Sequence, residues 1–461
     1  MTSRVEEQAL PESKQKLIYK PLEKIGAIVV NSFPALGRLA ALRFLEWVRH
    51  NPEGVISLPT GKTPEYFIKE VIRLLNGWDR KEIGQELEEA GLDPSLKPDL
   101  RGLHFVQIDE FYPINPLRHN SFHYYVSRFY LKGFGLSPEK AILIDCSSIG
   151  LPDDKSLEEI WPDDEVDLSL RYRMGSTNFE KMQKRFIEAI DQWCTDYEGR
   201  IRELGGIGFF LGGIGPDGHI GFNVRGSDLY STTRLTRVNY ETQAAAAADL
   251  GGMEVARKRL VITIGLATIT HNPDCLAIIM AAGEARARIV AESIQNPPHI
   301  RYPATVLQDL PNARFYLTRG AARLLTSRHY ESLLYSDTLT DAQVEKAVVD
   351  LSLEKRKKIL DLTAADFQGN PLTALLLQRS TTGAAGMTCR VAAGLKEKIE
   401  AGTRVLKGTV FLHTEPHHDD LTLASGSRAR LTTSGTISPR SLRMGITSLW
   451  KVGSSVKISP L

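Results

Sequence analysis

The feature that most constrains this chain is an alternation of short apolar runs with longer stretches of helical periodicity. The runs are Ala27–Val30, Val55–Leu58, Leu103–Ile108, Ala141–Ile144, Ile207–Leu211, Val261–Ile264, Leu276–Met280 and Phe315–Leu317. Between them lie Pro34–Arg49, Pro64–Leu75, Ser121–Lys132, Asn178–Tyr197 and Glu284–Ile294. In Pro34–Arg49, Leu36, Leu39, Leu42, Leu45 and Val48 recur near a period of about 3.6, which gives a helix one buried face. Strands alternating with such helices predict an α/β fold: a mainly parallel sheet with helices on both faces. Ligands of such sheets sit beyond the carboxyl ends of the strands.

At 461 residues the chain is too long for one ordinary core, so two domains, or one large domain with an appendage, are expected. A net charge of +2 gives no field that would draw nucleic acid or a membrane surface. Met1 to Lys20 lacks the apolar core of a signal peptide, and no apolar run approaches the roughly 20 residues of a membrane helix. Cys146, Cys194, Cys275 and Cys389 are far apart, with no CxxC pair. They imply neither a disulfide framework nor a zinc ribbon, and a cytoplasmic location is expected. Asp153–Asp167 holds eight acids and one lysine and reads as a solvated loop. Leu339–Leu362 reads as a helix, and its basic run Lys355–Lys358 as a solvated face.

Three segments that follow strands carry chemistry. Val55–Leu58 runs into Pro59-Thr60-Gly61-Lys62-Thr63-Pro64. Thr63 suits an N-cap and Pro64 the first helical position, so the loop offers backbone N–H groups to an anion. A purely structural strand–turn–helix junction would look the same. Leu103–Ile108 ends in Asp109-Glu110-Phe111-Tyr112. One carboxylate of the pair can face a cleft as a base while the other ties down the loop; a turn or cap acid is the plainer alternative. The third segment is Gly212-Gly213-Ile214-Gly215-Pro216-Asp217-Gly218-His219-Ile220-Gly221-Phe222-Asn223. Its glycines let a substrate lie against the main chain, and a carboxylate two residues from an imidazole sets its tautomer. No third ligand stands nearby for a metal, and a buried structural histidine is the bland reading.

Together these segments resemble the glucosamine-6-phosphate deaminase (isomerase) family, over most of Pro21 to about Arg323. Ser231-Thr232-Thr233-Arg234, Val261–Gly265 and Ala281-Ala282-Gly283-Glu284-Ala285-Arg286 are similar too, the last with Arg where the family has Lys. The related 6-phosphogluconolactonases share Asp-Gly-His but not the Asp-Glu-Tyr-like segment followed by the Phe-Asn continuation, so the deaminase branch is the better fit. The resemblance implies a Rossmann-like sugar-phosphate isomerase domain over 21–330 that turns glucosamine 6-phosphate and water into fructose 6-phosphate and ammonia, in N-acetylglucosamine catabolism. It implies Asp109 as the base at C2, His219 in ring opening and Asp217 as its partner. It assigns the phosphate to Thr60, Gly61, Lys62, Thr63 and Arg286, with no cofactor and no metal in this domain. A small sugar phosphate is the expected partner, with no nucleic acid or membrane; a homo-oligomer is possible for such a family. Two departures stand out. Val224 occupies the place of a glutamate that works with the histidine, and Ala244–Ala248 lies where a phosphate-binding arginine is usual. They leave open a sugar-phosphate-binding protein without turnover, or a 6-phosphogluconolactonase-type hydrolase.

Residues 331–404 are expected to form a mostly helical linker. The segment 405–424, with His413-Thr414-Glu415-Pro416-His417-His418-Asp419-Asp420, resembles the start of a zinc-dependent N-acetylglucosaminyl deacetylase (LmbE-like) domain. That resemblance implies His417 and Asp420 as metal ligands of a complete domain and Asp419 as a base, but the further histidine is missing. Residues 425–461, with nine serines, six Lys or Arg and no acid, read as a poorly ordered tail.

Overall fold

The computed structural model describes residues 3–13, 16–150, 155–403, 410–414, 440–441 and 447–451. They divide into two compact units, Met1–Arg328 and His329–Leu461.

The first unit is built on a seven-stranded sheet. Its strands are β1 (Gly26–Val30), β2 (Val55–Ser57), β3 (His104–Val106), β5 (Ala141–Ile142), β6 (Phe209–Gly213), β9 (Leu276–Ala281) and β10 (Arg314–Thr318). Their order is β1-β10-β9-β6-β2-β3-β5, and every pairing is parallel. Both faces are covered. Along β9, Leu276, Ile278 and Met280 enter one core while Ala277, Ile279 and Ala281 enter the other. That two-residue alternation between apolar layers is why the strands read as continuous apolar runs. The helix Phe33–His50 is capped by Ser32, whose side chain accepts from the Ala35 amide, and it buries Leu36, Leu39, Leu42, Leu45 and Val48.

One expected strand lies elsewhere. Leu260–Thr263 (β8) does not join the parallel sheet; it is the centre of a small antiparallel sheet, between β4 (Asp109–Tyr112) and β7 (Arg234–Thr236). An apolar run carries no label for which sheet it will join.

The acidic segment is more than a solvated loop. Asp153 and Asp154 lie outside the described residues. From Lys155 on, the apolar residues among the acids anchor it: Leu157, Ile160, Trp161 and Val166 are buried. The Trp161 indole donates to the Tyr112 hydroxyl at 3.0 Å, and Asp164 pairs with Arg259 at 2.8 Å.

Residues ahead of Pro21 are built into the first unit. The helix Arg4–Ser13 is tied down by Glu46, which accepts from the Ser3 hydroxyl at 2.6 Å and the Arg4 amide at 2.8 Å. Among the described residues no helix is long and apolar enough to cross a membrane.

The second unit has its own small core of Val344, Val348, Leu351, Phe367, Leu376, Met387 and Val391. The helix predicted over Leu339–Leu362 runs from Asp341 to Lys355, opened by a capping box of Thr340 and Gln343. It ends where Arg356 takes a left-handed φ of 52°. Lys357, in the basic run, reaches Asp366 at 2.7 Å. Further on, Val410–Thr414, Arg440–Ser441 and Thr447–Lys451 form a three-stranded antiparallel sheet. His417, Asp419 and Asp420 lie outside the described residues, as does most of 425–461.

Candidate active site

Four neighbouring strands, β9, β6, β2 and β3, run parallel and release the chain at one edge of the sheet. Each release carries one of the segments singled out in the sequence. Arg286 follows β9, Asp217 and His219 follow β6, Thr60–Thr63 follows β2, and Asp109 follows β3. Between β6 and β2 the chain direction across the sheet reverses: β2 leads to β3 and β5 on one side, β6 to β9 and β10 on the other. Such a switch point opens a crevice between diverging loops.

The loop after β2 meets the loop after β6 there. A Cβ on Gly213 would stand 3.1 Å from Thr63 Oγ1. Gly61 has φ +81° and open space where a Cβ would project. The Tyr125 hydroxyl donates to the Gly61 carbonyl at 3.0 Å, and the Tyr130 hydroxyl to the Pro59 carbonyl. These bonds use the carbonyls and leave the amides. Among the described residues the N–H groups of Gly61, Lys62 and Thr63 have no protein acceptor. The capping differs by one residue from expectation. The helix starts at Glu65, with Pro64 in the cap position and no side-chain cap bond. Thr63 is therefore part of the turn and not the cap.

The loop after β6 is shaped around the His219 ring. The ring lies against the backbone of Gly215; a Cβ there would fall 2.0 Å from Cε1. Asp217 is 2% exposed. Its Oδ1 accepts from His219 Nδ1 at 2.5 Å, and its Oδ2 accepts from the Arg225 amide at 3.1 Å and from Asn239 Nδ2 at 2.6 Å. Burial alone would raise this carboxyl. The hydrogen bond and charge of His219, with the Arg225 and Asn239 donors, outweigh it and hold Asp217 well below the usual carboxylate range. An ionised carboxylate only accepts, so Nδ1 carries the hydrogen and Nε2 is left for chemistry.

Asp109 stands in a different setting. It and Glu110 are adjacent on β4, so their side chains leave on opposite faces. Glu110 is fully buried and ties down the following loop. It accepts from the Ser121 hydroxyl at 2.7 Å and from the amides of Phe111, Phe122 and His123. Burial still lifts it to about 7. Asp109 has no hydrogen-bond partner for its carboxylate among the described residues. Burial, then the neighbouring Glu110 charge, push it well above the ordinary value.

The small antiparallel sheet links Asp109 to the glycine loop. Asp109 is paired with Thr263 and Thr263 with Arg234, which places the three on one face. Thr263 Oγ1 accepts from the Phe222 amide at 3.1 Å, and Arg234 donates to Asn223 Oδ1 at 2.9 Å. Phe222 lies against Phe111, centroids 5.3 Å apart, and stacks at 6.1 Å on the His219 ring. The loop bearing the imidazole thus rests on the strand bearing Asp109. Arg286 is half-buried; burial lowers its guanidinium, and the charge of Asp217 pulls it the other way. Lys62 is exposed at the rim.

No family model matches the chain. Among curated proteins, the glucosamine-6-phosphate deaminase of Halothermothrix orenii is 27% identical over 299 residues, covering 65% of this chain and 99% of the relative. That of Bacillus velezensis is 26% identical over 298 residues, with the same coverage of 65% and 99%. That of Rhodopirellula baltica is 35% identical over 164 residues, 34% of this chain and 64% of the relative. Sequence similarity supports the glucosamine-6-phosphate deaminase family over about 65% of this chain. Similar solved structures include a monomeric glucosamine-6-phosphate deaminase, at 21% identity and TM-score 0.47, covering 65% of this chain and 99% of that one. A 6-phosphogluconolactonase from Trypanosoma cruzi is at 16% identity and TM-score 0.43, covering 67% and 98%.

The two departures from the deaminase pattern now have positions. Val224 is half-buried against the apolar core, and the next residue, Arg225, turns its amide to Asp217. The alanine run belongs to the helix Tyr240–Leu250, capped by Asn239 and closed by Gly251 at φ 94°. Sequence reasoning about deaminases missed Asn239 and Thr242. Asn239 precedes the alanine run as an ordinary N-cap residue, and that was the available signal.

Proposed function

We propose that residues 21–330 act as a glucosamine-6-phosphate deaminase, an isomerase that releases the amino group. The observation that carries this reading is the pairing of two unlike carboxylates at one sheet edge: Asp109, buried without donors among the described residues, and Asp217 holding the His219 imidazole. The first suits removal of a proton from carbon; the second suits proton exchange with a sugar oxygen.

In this scheme His219 Nε2 exchanges the proton that opens the ring. Asp109 takes the proton from C2 and delivers it to C1, while O1 gains a proton and the nitrogen loses one, which leaves a C2 imine and a C1 hydroxyl. Water adds at C2, the C–N bond breaks, and ammonia and fructose 6-phosphate depart. Thr60, Gly61, Lys62, Thr63 and Arg286 hold the phosphate through free amides and positive charge, away from the reacting carbons. Every step is assigned to a side chain or to water, in a cytoplasmic setting.

A coupled assay for ammonia and fructose 6-phosphate on a panel of amino-sugar phosphates tests this, with 6-phosphogluconolactone offered to the same preparation. Turnover of glucosamine 6-phosphate that falls about 1,000-fold in Asp109→Asn is the expected result. Undiminished turnover in that variant removes the base assignment, and lactone hydrolysis without ammonia release replaces the reading.

A further inference from the structure

The Asp217–His219 pair is held from a third direction. Asn239 uses both ends of its amide. Its Oδ1 accepts from the Thr242 amide at 3.0 Å and caps the helix Tyr240–Leu250, while its Nδ2 donates to Asp217 Oδ2 at 2.6 Å. Each partner fixes the orientation, since an N–H can only donate and a carboxylate can only accept. The same helix turn brings Thr242, 2% exposed, to His219: its hydroxyl oxygen lies 3.3 Å from Nδ1. Nδ1 already donates to Asp217, so Thr242 is a second, weaker acceptor for the same hydrogen.

We infer that Asn239 is a positioning residue: by joining the helix cap to Asp217 it fixes the carboxylate, and through it the tautomer and direction of the His219 ring. The place where a glutamate works with the histidine in deaminases is taken here by Val224, so no acid at that position shares the task. The only side-chain donors to the Asp217 carboxylate among the described residues are His219 and Asn239. With Asn239 gone, Oδ2 keeps only the Arg225 amide, and the carboxylate is free to rotate away from the ring.

This inference rests on the proposed deaminase chemistry, and Asn239→Ser separates the two. Serine caps a helix about as well as asparagine but is too short to reach Asp217. The expected result is a modest drop in melting temperature from the lost hydrogen bond to Asp217, a kcat about tenfold lower and a KM within about twofold of the original. In nitrogen NMR, His219 should pass from a single Nδ1–H form to a mixture of tautomers. Asn239→Asp, which also caps, sets a second carboxylate against Asp217 and should lower kcat further. An Asn239→Ser protein with full kcat and an unchanged His219 spectrum overturns the inference. If Asn239→Ser does not fold, full kcat in Asn239→Asp does so instead. If the unaltered protein releases no ammonia from any amino-sugar phosphate, the functional reading fails, while the NMR comparison still decides the role of Asn239.

Discussion

Asp109 and Asp217 are buried to a similar degree, 7% and 2% exposed, yet their surroundings do opposite things. The strand Asp109–Tyr112 buries Asp109 with no hydrogen-bond donor to its carboxylate among the described residues and with a like charge beside it, so the neutral acid is favoured. The loop after β6 offers Asp217 an imidazole, a backbone N–H and an amide, so the anion is favoured. Burial by itself therefore assigns no role; the count of donors does. The first arrangement makes a stronger base, at a cost in stability once the group ionises. The second makes a fixed anion that orients its neighbour.

The sharpest break of this comparison is a pair of isosteric variants read for both rate and stability. Asp109→Asn is expected to lower turnover about 1,000-fold. The carboxyl's raised value means it stabilises the fold only while protonated, and that contribution is lost as pH rises through the folded value. Asp109→Asn should therefore melt at or above the temperature of the unaltered protein near pH 8. Asp217→Asn should lower turnover by about 100-fold. Here the sign is reversed. A depressed carboxyl contributes stability above the ordinary unfolded value of about 4 and loses it as pH falls. Asp217→Asn should cost roughly 2 kcal/mol at pH 7, by loss of charge-assisted hydrogen bonds, and progressively less below pH 4. Thermal melts across pH check both; parallel shifts in the two variants would erase the distinction.

A smaller effect sharpens the second half of the comparison. Gly215→Ala puts a methyl within the His219 ring and must push it off Asp217. A kcat about 30-fold lower, with KM little changed, is expected from steady-state kinetics. The smallest effect tests the link between the two regions. Thr263→Val removes the acceptor of the Phe222 amide and should lower kcat by about threefold, with a loss of about 1 kcal/mol in denaturant unfolding. No change in either quantity would mean that strand β8 merely supports the loop's backbone and does not set its position.

How much of this was legible beforehand differs by residue. The Gly-rich segment announced itself, because glycines around Asp217 and His219 have few other uses, and Gly215 shows the reason in its contact with the ring. The division of labour between Asp109 and Glu110 was open in sequence, since adjacent carboxylates differ only in the face of the strand they leave from. Thr63 was misplaced by one position because caps depend on the local turn and not on residue type alone. Asn239 and Thr242 went unseen because the contacts to Asp217 and His219 cross 22 and 23 residues of chain.

By itself the sequence determined the parallel α/β layering, through apolar runs buried on both faces, and the identity of the reactive groups, through residue chemistry. Only the tertiary structure decided that β8 stays out of the main sheet and pairs with β4, setting Thr263 opposite Asp109, and that β9, β6, β2 and β3 end side by side. The physical reason is that propensity and periodicity act over a few residues. Donors, desolvation and strand order are fixed by groups brought together from distant parts of the chain.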